Sequence, residues 1–127
     1  MYADNNVLRQ KSMKFSIRIY NLVKYLIDEK KEFVLSKQIL KSGTSIGANL
    51  AEAKCAISDA EHLAKLYISY KECSETLYWL DLLNNINLIT EPQFKSIYKD
   101  CEEIIKILTS AIKKSKTKVS VKKNETK

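Results

Sequence analysis

The sequence predicts an all-α protein: an antiparallel four-helix bundle with up-down-up-down connections, followed by a disordered basic tail. Glycine occurs only twice and proline once in 127 residues, whereas β-rich folds need frequent turns that depend on both residue types. Hydrophobic residues make up 45% of the chain, which suffices for the core of a single domain. Apolar residues recur at helical spacing in four segments, near residues 8–29, 36–54, 58–85 and 90–113. Residues 1–7 then form an N-terminal extension and residues 114–127 the tail.

The first predicted helix has one apolar face and one basic face. The apolar positions follow the i, i+3, i+4, i+7 spacing of a buried stripe: Phe15, Ile19, Leu22, Val23, Leu26 and Ile27. Lys11, Lys14 and Arg18 share another face near the start of the helix. A basic stripe of this kind either meets water or lies along a phosphate backbone.

The second predicted helix carries two glycines four residues apart within its apolar stripe. Gly43 and Gly47 fall on the same side as Ile39, Ile46 and Leu50, at about 100° per residue. A phosphate-binding loop would need a Gly-Lys-Ser/Thr sequence after a strand, and the segment has neither. The glycines therefore predict a close contact between helix backbones, which would offset their low helix propensity.

The third predicted helix begins at a capping box, Ser58 followed by Glu61. Its heptad-spaced seam is predicted to face the bundle core: Leu63, Leu66, Tyr70, Cys73, Leu77 and Leu80. A second apolar stripe, about 170° from the seam, consists of Ala64, Ile68, Trp79, Leu82 and Ile86. Another subunit could cover this stripe, or helices 1 and 4 could wrap round it. We take Ile68, Trp79, Leu82 and Ile86 as candidate interface residues.

The fourth predicted helix begins with a Thr90-Glu91-Pro92-Gln93 cap and leads into the basic tail. Residues 113–127 carry seven lysines and one glutamate, a net charge of +6 out of +7 for the whole chain. The tail is predicted to be too polar to fold, and it serves either as a nucleic-acid tether or as a solubilising end. Candidate nucleic-acid-binding residues are Lys114, Lys116, Lys118, Lys122 and Lys123, together with Lys41 and the basic face of helix 1.

Several functional classes are disfavoured by the residue inventory. The three cysteines are far apart and have no CxxC pair, which predicts reduced thiols rather than a disulfide framework or zinc site. No signal peptide or membrane span is evident, so a cytoplasmic protein is expected. His62 is the only histidine and is expected at the surface, and Glu72 with Glu75 lacks the Glu-x-x-His pairs of a di-metal bundle. We expect no catalytic residue, cofactor or metal.

Two segments resemble the signatures of a bacterial four-helix-bundle family, the proteins encoded in intervening sequences of 23S rRNA genes. Residues 38–53 read QILKSGTSIGANLAEA and residues 70–80 read YKECSETLYWL. They stand at the separation typical of the family, and the resemblance covers about residues 10–112. The evident departure is Lys41, where arginine is frequent, and it keeps the charge.

The resemblance implies an antiparallel four-helix bundle that assembles into a ring-like homopentamer. Distant relatives are accessory proteins of diversity-generating retroelements, which bind RNA and a reverse transcriptase, so RNA and such a protein are the partners it suggests. We expect a non-catalytic, homo-oligomeric, RNA-binding module. The alternative is a protein-interaction scaffold that makes no contact with nucleic acid.

Overall fold

Residues 6–125 form four α-helices joined by short loops and contain no β-strand. The structure, a computed structural model, describes the backbone over residues 6–125 and the side chains over residues 6–122. The helices are α1 (Asn6–Asp28), α2 (Val34–Lys54), α3 (Asp59–Asn85) and α4 (Glu91–Glu125). The predicted all-α fold is thereby confirmed, and the first three helices begin and end within two residues of their predicted bounds. Along this part of the chain, none of the helices has the length and apolarity needed to cross a membrane.

Both predicted capping boxes are present. At the start of α3 the Glu61 N–H donates to Ser58 Oγ at 3.0 Å, and the Glu61 carboxylate accepts from the Ile57 N–H at 3.0 Å. Before α4 the Thr90 N–H donates to Gln93 Oε1 at 2.9 Å, and the Gln93 N–H donates to Thr90 Oγ1 at 3.3 Å. These bonds satisfy backbone donors that a helix start leaves unpaired, so each helix begins where its cap stands.

The core lies between the four helices, because each helix contacts the next and α4 returns to α1. Every helix contributes fully buried apolar side chains: Phe15 and Ile19 from α1, Ile46 and Leu50 from α2, Leu66 and Leu80 from α3, Ile104 and Leu108 from α4. Cys73 and Cys101 are buried free thiols, and the Cys101 Sγ lies 3.7 Å from the Cys73 carbonyl oxygen. They therefore pack as small core residues, as predicted.

The glycines of α2 lie at the contact with α1. A Cβ built on Gly43 would stand 2.8 Å from Ile19 Cγ1, and one on Gly47 would stand 3.2 Å from Ser12 Oγ. Neither glycine has a positive φ, so the backbone conformation does not require glycine here. Close helix packing, the predicted reason for the pair, is confirmed, and it is tighter at Gly43 than at Gly47.

The buried face of α3 differs from the predicted seam by a rotation of the helix. The buried positions are His62, Leu66, Ser69, Cys73, Thr76, Leu80 and Leu83. Tyr70, placed in the predicted seam, is 36% exposed. The physical reason is hydrogen bonding to α2: Ser69 Oγ donates to the Ile46 carbonyl at 2.9 Å, and Thr76 Oγ1 bonds Ser42 Oγ at 2.9 Å. Small hydroxyl side chains with partners can occupy a tight helix contact at little cost.

His62 is a second correction, because it is buried and not at the surface. It is 6% exposed, and its Nδ1 lies 3.0 Å from the carbonyl oxygen of Ala53 near the C-terminal end of α2. That carbonyl belongs to the last turn of α2, where the intrahelical donors run out. The histidine ring thus joins the end of α2 to the first turn of α3.

The end of α4 is a third correction. The sequence predicted a helix end near residue 113 and a disordered tail, whereas α4 continues to Glu125. The stripe of Ile112 continues through the buried Ser115 to the half-buried Val119, and these residues pack toward the bundle. The apolar residues of the tail are too few to predict this extension, whereas its contacts with α3, made by Lys116 and Lys122, depend on residues far away in the sequence. Residues 126 and 127 lie outside the described part of the chain.

Candidate nucleic-acid and subunit interfaces

The basic residues of α1 face α4, where acidic side chains partly neutralise them. Arg18 Nη1 lies 2.6 Å from Asp100 Oδ2, and Arg18 Nη2 donates to Ser96 Oγ at 3.0 Å. Lys11 Nζ lies 3.5 Å from Glu103 Oε2. Lys14 is exposed beside them. A cation that already has a carboxylate partner gains less from a phosphate, so this predicted basic face is a weaker anion site than its sequence indicates.

Lys41 is exposed on α2 and lies within electrostatic reach of the paired carboxylates of α3. Burial raises the pKa of Glu72, repulsion from Glu75 and a hydrogen bond with it raise it further, and the Lys41 charge opposes the shift. Glu72 and Glu75 therefore form an acidic spot on α3 that one nearby lysine only partly offsets.

Two lysines of the α4 C-terminal segment contact α3. Lys122 Nζ lies 2.6 Å from Asp59 Oδ2, and Lys116 Nζ lies 5.5 Å from the centre of the Tyr67 ring. Lys114 and Lys118 are exposed. The predicted side-chain role of Lys123 lies outside the described side chains. The segment is thus a basic helix attached to α3 by a cation–π contact and an ion pair.

A further row of lysines on α4 was missed by the sequence analysis. Lys99, Lys106 and Lys113 recur every seven residues, which places them on one face of the helix, and all three are exposed. Their Cα atoms are about 10 Å apart along the axis at 1.5 Å per residue. No ion pair among the described residues involves any of the three. The seven-residue spacing was the signal that could have found them.

The candidate subunit residues on α3 form a partly exposed row beside the buried face from which Ser69 and Thr76 bond to α2. Ile68 and Ile86 are 39% and 47% exposed, and Leu82 is partly buried. Trp79 packs against the bundle core, with its ring edge-on to Tyr78 at 5.1 Å between centroids. Its indole Nε1 is buried and has no hydrogen-bond partner among the described residues. The row thus adjoins the core and does not stand directly opposite it.

No group of three or more histidine, cysteine or acidic side chains within residues 6–125 is placed to hold a metal ion. The candidate interfaces consist of exposed lysines and of rows of apolar side chains.

The two signature segments lie on α2 and α3. Residues 38–53 contain the two glycines that contact α1, and Thr76 of residues 70–80 donates to Ser42 Oγ of the first segment. Residues 4–110 match the family described as 23S rRNA-intervening sequence protein. The chain belongs to this family.

A solved relative of the 23S rRNA-intervening sequence proteins supports the same fold. A protein of unknown function from the S23 ribosomal protein family of Bacteroides thetaiotaomicron is 54% identical, with a TM-score of 0.83. The similarity covers 84% of this chain and 98% of that one. No curated protein matches. The family match ends at residue 110, so Lys113 and the lysines after it lie outside the matched residues of this 23S rRNA-intervening sequence protein.

Proposed function

We propose that this 23S rRNA-intervening sequence protein is a non-catalytic, homo-oligomeric module of the cytoplasm that binds RNA, with the pentamer as its assembled form. Its scaffold is an antiparallel, up-down-up-down bundle. The order of contacts supports this topology, since Ile19 meets Gly43 while the earlier residue Ser12 meets the later residue Gly47. Contacts between α2 and α3 and between α3 and α4 follow the same opposed order.

The exposed lysine row of α4 carries the RNA proposal. Lys99, Lys106 and Lys113 have no acidic partner among the described residues, unlike Lys11 and Arg18 on α1. Lysines along one helix face can contact phosphates of a nucleic-acid backbone. Lys114 and Lys118 continue the basic surface toward the end of the helix.

A salt-titrated binding assay with a structured RNA tests the proposal. We expect Lys106→Gln with Lys113→Gln to lower affinity and to flatten the plot of log K against log salt by about 1.4–1.8, or 0.7–0.9 per lost phosphate contact. The matched control is Lys11→Gln with Arg18→Gln, which removes the same charge from residues already paired with acids. The control should retain most of the wild-type slope.

Binding no tighter than that of a polylysine of equal charge would overturn the RNA proposal, as would equal losses in the two double variants. Either result would favour the second candidate, a protein-interaction scaffold. That candidate is supported by exposed apolar side chains on α1: Met13, Ile17 and Tyr20 are 63%, 54% and 59% exposed. Apolar surface of this extent on a soluble protein marks an interaction site.

A further inference from the structure

An open groove runs along the outer side of α1 and α2. Its volume is about 510 Å³, and α2 lines it with small side chains, namely Thr44, Gly47, Ala48 and Ala51. Small residues on one helix leave room for side chains from another helix. Met13 lines the opposite wall on α1.

An apolar ridge on α1 begins at Met13, which lines the groove among polar side chains, and continues along the helix beyond it. Met13, Ile17 and Tyr20 follow the i, i+4, i+7 spacing of one helix face, and each is more than half exposed. None of the three belongs to the core cluster or packs against it. Ridge and groove together form an apolar surface that a helix could cover.

The groove carries positive charge. Arg9 lines it, and its Nε atom is buried without a hydrogen-bond partner among the described residues. Beyond the groove, the exposed Lys24 follows Tyr20 on the ridge at the i+4 position. Neither Arg9 nor Lys24 forms an ion pair within the described residues.

The row on α3 has the complementary properties. Its members recur at alternating steps of four and three residues, the spacing of a seam that packs against a partner helix: Ile68, Glu72, Glu75, Trp79, Leu82 and Ile86. The row is apolar at both ends and carries the two carboxylates in the middle. Glu75 is exposed, and its negative charge repels the charge of Glu72. The two carboxylates of the row are complementary in charge to Arg9, the cation that lines the groove.

We propose that the α1–α2 groove of one subunit takes the α3 row of a second copy of this chain, head to tail. The inference rests on the proposed homo-oligomer and identifies the surfaces that meet in it. Groove and row occupy neighbouring sides of the bundle on either side of α2, so each copy can use both at once. A head-to-tail contact forms a ring where repeating its rotation brings the last copy back to the first, as the proposed pentamer requires.

Two single substitutions, each on an exposed residue of one surface, test the pairing. Ala48→Glu places a carboxylate in the groove, and Ile68→Glu places one in the row. Both are measured by sedimentation velocity, with circular dichroism to verify the helix content. Ser110→Glu, which adds the same charge on the exposed outer side of α4, is the matched control. We expect each surface variant to be monomeric at 14.6 kDa, while the control assembles as wild type does.

The decisive sample is an equimolar mixture of the two variants. Ile68→Glu keeps an intact groove and Ala48→Glu keeps an intact row, so the mixture should form a one-to-one dimer that cannot extend. A homodimer of Ala48→Glu alone would mean that row meets row, and would overturn the pairing. So would full assembly of either variant, or a mixture that stays monomeric. A monomeric wild type would instead overturn the proposed homo-oligomer itself, and the pairing with it.

Discussion

Replacing Gly43 with alanine is expected to destabilise the bundle by about 1–3 kcal/mol relative to the same change at Gly47. The new methyl at Gly43 would lie 2.8 Å from Ile19 Cγ1 and 2.9 Å from Ile19 Cγ2, closer than carbon atoms can approach. Ile19 is fully buried and β-branched, so it has no free rotamer that would move both atoms away. Helix α1 must then shift away from α2.

A methyl group added at Gly47 would make a looser contact than the one at Gly43. Its distance to Ser12 Oγ would be 3.2 Å, and the next atom, Ser12 Cβ, is at 3.5 Å. A shift of a few tenths of an ångström relieves that contact. Both glycines lie inside α2, so the gain of about 1 kcal/mol in helix propensity is common to both variants and cancels in the comparison.

Urea unfolding followed by circular dichroism measures the difference, at matched subunit concentration because assembly also stabilises the folded chain. Adding Ile19→Ala removes both clashing atoms, so Gly43→Ala should cost less in that background than in wild type. If Gly43→Ala is at least as stable as Gly47→Ala, or if its cost is unchanged beside Ile19→Ala, the contact with Ile19 does not explain why glycine stands there.

Two further predictions concern α3. Burial and the charge of Glu75 raise the pKa of Glu72 in the folded protein above its ordinary value of 4.5. The folded protein therefore binds a proton at Glu72 more tightly than the unfolded chain does. The free energy of unfolding then falls as the pH rises through the raised pKa. Glu72→Gln should therefore raise the urea midpoint of the dissociated subunit near neutral pH, and this gain should vanish below pH 4.5. An equal gain at both pH values would contradict the raised pKa of Glu72. Trp79→Glu should disrupt assembly and also lower the melting temperature of the subunit, because Trp79 packs against the core and a carboxylate there has no partner. If assembly were lost while the melting temperature stayed unchanged, Trp79 would belong to the interface alone.

Local signals in the sequence predicted the helices well, since their physical causes are local. The capping boxes at Ser58 and Thr90 act within four residues, so the sequence contains both partners of each bond. The glycine contact was also predictable, because a glycine inside an apolar stripe has few other uses in a helix. The choice between Gly43 and Gly47 was not predictable, since it depends on which α1 side chain lies opposite.

The errors share one physical cause: burial of polar groups depends on partners far away in sequence. Ser69 and Thr76 can enter the core because α2 supplies their hydrogen-bond partners, and the hydrophobic pattern of α3 contains no trace of those partners. His62 is buried for the same reason, with the Ala53 carbonyl as its partner. The core face of α3 predicted from apolar periodicity alone was therefore rotated toward Tyr70 relative to the face that is buried. It also left out the hydroxyl side chains of Ser69 and Thr76.

The proposed surfaces for assembly and for RNA lie on different sides of one subunit. The groove and the row flank α2, whereas Lys99, Lys106 and Lys113 lie on the outer face of α4, which neither surface includes. Assembly would therefore leave the lysine row of every subunit accessible and repeat it round the ring. An RNA that reaches two such rows gains affinity through effective concentration, with no contact that a single subunit lacks. Three lysines per subunit would then be enough for the proposed binding, because the proposed assembly would present several such rows to one RNA.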